Sequence, residues 1–137
     1  NKIDLNRDWG TFSQPETIAV NEKLIRLNTN SKLVLFIDFH STYKNIFYIS
    51  ENSSNNLSKF SLENWINNSS SSLLGIGYNY QLINSSNKDN GVSKNYIYNK
   101  YNIPSMTYEV SDSEDRKKIK QSSSILATEL MKFLVIN

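Results

Sequence analysis

The chain has 137 residues, 38% of them hydrophobic and 12% aromatic, enough to bury one core and too apolar for a disordered segment. Fifteen basic against 13 acidic residues leave a net charge of +2, too small a field to imply a nucleic-acid or membrane-surface partner. Cysteine is absent, which excludes disulfides and thiolate metal sites but leaves secreted, periplasmic and cytoplasmic locations open.

Pro15 opens an amphipathic segment, Glu16 to Leu27, whose Ile18, Leu24, Ile25 and Leu27 fall at helical spacing; this predicts a helix packed on a sheet. Asn28 to Ser31 is a short connection to Leu33 to Phe39, a nearly continuous apolar run that suits a central strand buried on both faces. Asn45 to Ile49 reads as a second short strand, and Leu62 to Ile66, with Trp65, as a short helix. The asparagine and serine runs Ser50 to Ser58 and Asn67 to Ser72 read as loops. Gly75 to Asn90, with Tyr78 and Tyr80 among polar residues, is expected to form an ordered surface loop that can line a cleft.

Met106 to Val110 gives another strand. Asp112 to Asp115 supplies capping groups for a helix from Arg116 to Val135, with Ile119, Leu126, Ala127, Leu130, Met131 and Leu134 at helical spacing. Arg116 faces the site or caps Asp112, and the structural role is favoured. Helices alternate with strands and no repeat or linker interrupts them, so the expected fold is α/β, a three-layer sandwich with a mixed central sheet. No apolar stretch approaches the length of a membrane span, and the first residues, Asn1 to Asp4, lack a signal-peptide layout.

Chemistry concentrates on His40, the only histidine, which ends the apolar run and precedes Ser41 and Thr42. The carboxyl end of a strand is where open α/β sheets place their reactive groups. Glu109 lies in an otherwise apolar and aromatic strand, either as a functional carboxylate or as an edge-facing one. Asn6 and Arg7 together offer a neutral donor and a planar guanidinium fork suited to a carboxylate; taken alone they read as a loop cap and a surface arginine.

Three segments, Asp4-Leu5-Asn6-Arg7-Asp8-Trp9-Gly10, Ile37-Asp38-Phe39-His40-Ser41-Thr42 and Pro104-Ser105-Met106-Thr107-Tyr108-Glu109-Val110, resemble in this order the zinc carboxypeptidases of the carboxypeptidase A type. That family combines a D-x-N-R segment, a strand-end histidine and a T-[FY]-E strand. The resemblance implies one zinc ion with His40 as a ligand, Glu109 as the general base, and Asn6 and Arg7 as the grip on the substrate's terminal carboxylate. Asp4 matches a carboxylate that holds a metal-bound histidine in one tautomer.

Gly91 to Tyr98 resembles the family's G-x-S-x-D-W-x-Y, with Asn95 and Tyr96 in place of the aspartate and tryptophan. Lys94 then occupies the base of a substrate side-chain pocket, where a cation favours an acidic terminal residue; a solvated loop lysine is the equal alternative. The family's mobile tyrosine has no match in Ser85 to Asn90, which leaves Tyr78 or Tyr80 as a replacement from the same loop.

Catalytic zinc takes three protein ligands. The family's other two ligands lie in an H-x-x-E segment upstream, whereas this chain begins three residues before Asp4. Residues 1–137 are therefore expected to be the carboxyl-terminal part of a single catalytic domain, inactive alone. The leading function is a zinc-dependent exopeptidase that releases a terminal amino acid from a peptide. A zinc-dependent amidase or deacylase, acting on N-acyl amino acids or cell-wall peptides, and a non-catalytic binding module are the alternatives.

Overall fold

The structure, a computed structural model, describes residues 3–50, 61–85 and 91–135. A short 3-10 turn, Leu5–Arg7, precedes α1 (Pro15–Asn30), β1 (Phe36–Thr42), β2 (Ile46–Ser50), α2 (Leu62–Gly75), β3 (Gln81–Asn84), α3 (Ser93–Tyr101), β4 (Ser105–Ser111) and α4 (Arg116–Val135). The strands lie in the order β1-β4-β2-β3. β1 runs parallel to β4, β2 antiparallel to β4, and β3 parallel to β2, so the sheet is mixed as expected.

Side chains alternate across a strand, and here the alternation separates an apolar face from a polar one. Phe47, Ile49, Met106 and Tyr108 project to one side, where α2 and α4 cover them with Trp65, Ile66, Leu73 and Leu126 to form the main core. Trp65 Nε1 donates to the Leu126 carbonyl at 2.9 Å, tying the two helices together. The other side of β1 and β4 carries Asp38, His40, Thr107 and Glu109 in register. On that side α1 and α3 enclose a second, smaller cluster around Trp9, Ile97 and Ile103, joined by Leu24, Phe36 and Tyr96. Helices on both faces of a mixed sheet give the three layers.

Several expectations are corrected. Among the described residues β1 is an edge strand paired only with β4, and Phe39 is 70% exposed, so within these residues it is not the expected central strand buried on both faces. Its boundaries also shift toward the polar residues, because Asp38 and His40 occupy the face that the apolar reading assigned to core.

The serine run after Asn67 is helical. α2 extends to Gly75, with Ser61 accepting from Asn64 N at 3.2 Å as its cap. Ser69, fully buried, donates back to the Trp65 carbonyl at 2.9 Å, so a small hydroxyl faces the core without an unmet donor. Of the run Ser50 to Ser58, only Ser50 lies within the described residues.

The segment after Gly75 is no simple surface loop, since β3 lies within it. Tyr78 is fully buried, and its hydroxyl shares a 2.7 Å hydrogen bond with that of Tyr108. Burial pushes both phenols above their ordinary range, and the Tyr108 contact raises Tyr78 further. Tyr80 packs edge-on against Phe47 at 5.2 Å. Both rings belong to the core side, so neither Tyr78 nor Tyr80 serves as the expected replacement tyrosine.

α4 keeps its predicted limits. Asp115 Oδ1 accepts from Lys117 N at 2.9 Å and Lys118 N at 3.0 Å, capping the first turn, while Arg116 is exposed there. α1 is longer than the periodic segment, and its packing is thinner than expected. Leu24 reaches the second cluster, whereas Ile18, Ile25 and Leu27 are exposed.

α1 is held instead at its amino end by Asp8, a residue whose role the sequence did not reveal. Asp8 Oδ1 accepts from Ser13 N at 2.9 Å and Ser13 Oγ at 2.7 Å, and Oδ2 accepts from Gln14 N at 3.0 Å and from the Thr17 hydroxyl. The Thr17 hydroxyl first, then Ser13, holds the Asp8 carboxyl well below the usual carboxylate range. A carboxyl with a lowered folded pKa stabilises fully above its unfolded value of about 4 and loses that contribution as pH falls through the folded value. Asp8→Asn is expected to melt below wild type at pH 7, with the gap narrowing below about pH 4. Thermal melts by circular dichroism check this, and a gap independent of pH would rule it out.

Candidate active site

The parallel register sets His40 opposite Glu109 and Asp38 opposite Thr107 at the carboxyl ends of β1 and β4. Imidazole and carboxylate therefore leave the same face of adjacent strands. Asp38, two residues before His40 on that face, lies with Oδ2 3.0 Å from His40 Nε2. That contact takes a hydrogen from Nε2 and leaves Nδ1 as the nitrogen available to a ligand. The Ser93 hydroxyl donates to the same Asp38 oxygen, and the Ser93 N–H donates to Asn6 Oδ1 at 2.9 Å. A continuous polar chain thus joins the segment around Asn6, the start of α3, and the end of β1.

Sequence reasoning named neither Asp38 nor Ser93. The signal for Asp38 was its period-two spacing from His40 in a strand, which places both on one face. Ser93 stands only in the weakly matched Gly91 to Tyr98 stretch, and its link to Asn6 spans the chain.

Glu109 Oε2 is buried and has no hydrogen-bond partner. A buried carboxylate oxygen without a partner is costly to maintain and points to a proton, water or cation that belongs beside it. Asp4 Oδ1 accepts from Asn6 N at 2.9 Å and caps the 3-10 turn, which fixes Asn6. Arg7 donates from one guanidinium nitrogen to the Asn6 carbonyl at 2.8 Å and is otherwise exposed, leaving most of its five donors for another partner.

A cleft of ≈ 440 Å³ opens over this face, lined among others by Asp4, Asn6, Trp9, Asp38 and His40, with Thr17 and Val20 of α1 as a wall. The structure thus brings Asp4, Asn6 and His40 to one cavity, with Glu109 beside His40 in the sheet and Arg7 next to Asn6.

Lys94 lies apart. It is 4% exposed, and its Nζ donates to Ser50 Oγ at 2.6 Å, Asn95 Oδ1 at 2.7 Å, and the Ser85 carbonyl and Oγ at 3.0 Å each. It is not a solvated loop lysine. Burial lowers its pKa from the ordinary lysine value to about 8. Ser50 pairs with Ser105 and Ile46 with Glu109, so the ammonium is roughly four strand residues, or about 13 Å, from the Glu109 end.

The donor set does not fit zinc by itself. Among the described residues no group of three His, Cys, Asp or Glu side chains can hold a metal ion, whereas a catalytic zinc needs three protein ligands. Among the same residues no helix is long and apolar enough to cross a membrane.

A solved metallo-carboxypeptidase from Burkholderia cenocepacia superposes with a TM-score of 0.61 at 13% sequence identity, covering 98% of this chain and 39% of that one. At that identity the likeness shows the fold, and this chain spans about 39% of the length of that structure. No curated protein sequence matches the chain. The zinc carboxypeptidase family profile matches residues 3–132. With nearly all its residues inside that profile, the chain belongs to the zinc carboxypeptidase family.

Proposed function

We propose that this chain carries the general base and the carboxylate grip of a metallocarboxypeptidase that releases the terminal amino acid from a peptide. The observation that carries the reading is the cross-strand pair of Glu109, whose buried Oε2 has no hydrogen-bond partner, and His40, which lines the cleft that holds Asn6. Glu109 takes a proton from the attacking water and passes one to the amine that leaves, so the carboxylate ends as it began. Asn6 and Arg7 bind the terminal carboxylate, Arg7 through two parallel N–H donors. Asp4 holds Asn6 in place, and Asp38 orients His40. Zinc is the family's metal, and His40 would supply one ligand to it.

This division predicts that the 137-residue chain binds zinc weakly or not at all, because one imidazole cannot satisfy a tetrahedral ion. Calorimetric titration checks it; submicromolar affinity that depends on His40 in monomeric protein would show that the site is complete.

The functional test compares N-acyl dipeptides with free and with amidated carboxyl ends as substrates of the full-length gene product. Only the free acids should be hydrolysed, and Arg7→Ala should raise KM by about tenfold or more with a smaller effect on kcat. Equal hydrolysis of the amides would favour an amidase or deacylase. The single imidazole favours a second reading, a non-catalytic binding module, and binding of free acids without any hydrolysis would select it.

A further inference from the structure

We infer that Ser93 is a positioning residue for both halves of the site: its hydroxyl sets the ring of His40, and its backbone N–H sets the amide of Asn6. The inference rests on the reading of His40 and Asn6 as groups that work on the substrate, and it adds what holds them. It begins at the start of α3. The N-cap of that helix is Val92, whose side chain cannot accept from the unpaired N–H groups of the first turn. Serine is a good capping residue, yet here it stands one position later, as the first residue of the helix. Its hydroxyl turns to the sheet and donates to Asp38 Oδ2 on β1, and its N–H donates to Asn6 Oδ1 at 2.9 Å. The helix is thus capped from a segment 87 residues earlier in the chain.

Each contact fixes an orientation that the chemistry needs. Asp38 Oδ2 is the same oxygen that lies 3.0 Å from His40 Nε2. A carboxylate accepting from His40 alone would turn with the ring, whereas a second donor on a packed helix pins the oxygen, and with it the ring and the Nε2–H tautomer. At Asn6 the amide is planar, with acceptor and donors on opposite edges. Because Oδ1 faces Ser93, the Nδ2 hydrogens, which have no acceptor among the described residues, are left for a ligand in the cleft that Asn6 lines. An amide turned the other way would offer its oxygen to the substrate's carboxylate and repel it.

The helix itself is held by other means. α3 packs on β1, β2 and β4 with Ile97 fully buried, and Trp9 N donates to the Gly91 carbonyl at 3.2 Å just before it. Loss of the Ser93 hydroxyl therefore releases His40 without releasing the helix.

Three variants separate the two contacts. Ser93→Ala removes the hydroxyl and keeps the N–H, and Ser93→Thr keeps both. Ser93→Pro removes both, at the first helical position where proline is favoured, and after Val92, whose φ of −101° and ψ of 145° suit a residue before proline. Two quantities are measured by NMR on the 137-residue chain. One is the tautomer and ring mobility of His40 at about pH 8.5, where imidazole is ordinarily neutral; the other is the dissociation constant of N-acetylleucine. Wild type and Ser93→Thr are expected to hold His40 as one rigid Nε2–H tautomer. Ser93→Ala should mobilise the ring and mix the tautomers with binding unchanged within about twofold, whereas Ser93→Pro should also weaken binding by about fivefold or more. A serine with a merely structural role would shift the melting temperature without dividing the two readouts.

A rigid, single-tautomer His40 in Ser93→Ala would overturn the inference, even should Ser93→Pro fail to fold. Equal binding of N-acetylleucine by Ser93→Pro and the wild type would overturn its Asn6 half. A wild-type chain that binds no N-acetylleucine would overturn the reading of Asn6 and Arg7 as the grip, and the ring measurements would still decide whether Ser93 sets His40.

Discussion

Glu109→Gln is expected to lower kcat of the full-length gene product by about a hundredfold or more while changing KM little. Glutamine keeps the length and shape of the side chain, so the register of β4 against β1 and the position of His40 stay as they are. It cannot accept a proton at the oxygen that now lies buried without a partner. That oxygen is the atom the proposed role requires, because a general base works best when partly desolvated and within reach of the water it deprotonates. Removing the charge also removes a buried unpaired oxygen anion, so the variant should be at least as stable as the wild type. Steady-state kinetics, metal content and a thermal melt on one preparation give the three readouts. Turnover near the wild-type level, with metal retained, would remove Glu109 from the chemistry.

The parts of the molecule legible in the sequence were those where one signal was uncontested. The closing helix combined a cap at Asp115 with twenty residues of helical periodicity, and the strand around Glu109 was apolar, aromatic and bounded by Pro104. The ordered segments around Arg7, His40 and Glu109 told the family. Placement was harder. An apolar run such as Leu33 to Phe39 has the same pattern at the centre of a sheet and at its edge, and the pairing of β1 with β4 alone among the described residues is what separates the two here.

Serine-rich stretches misled for a related reason. A serine inside a helix looks like a loop residue until its hydroxyl is seen returning to the preceding turn, as Ser69 does. Lys94 was ambiguous because burial of a lysine depends on neighbours distant in sequence, Ser50 and Ser85. The same holds for the contacts of Ser93 with Asn6 and Asp38, which assemble only when α3 settles against the sheet.

The largest effect on stability is expected at Phe47, and the contrast with Phe39 shows why the position of a strand decides the energetic weight of its residues. Both phenylalanines point to the apolar side of the sheet and both touch Tyr108, at centroid distances of 4.5 Å for Phe47 and 5.8 Å for Phe39. Phe47 is fully enclosed on β2, stacked on Tyr108 and met edge-on by Tyr80. Phe39, on the edge strand, is 70% exposed. Phe47→Ala should therefore lose the transfer energy of a whole buried ring and leave a cavity between β2 and α2, costing about 3–5 kcal/mol. A domain of this size has only about 5–15 kcal/mol in total, so the variant should be largely unfolded at modest denaturant. Phe39→Ala, which gives up a partial contact already open to water, should cost about 1 kcal/mol or less. Because β2 pairs with β4 and sets Ile46 opposite Glu109, loosening at Phe47 should also disorder the strand that carries the base. Urea titrations of both variants with a shared m-value decide the matter, and comparable losses at the two sites would mean that the face bearing Phe39 is covered in solution.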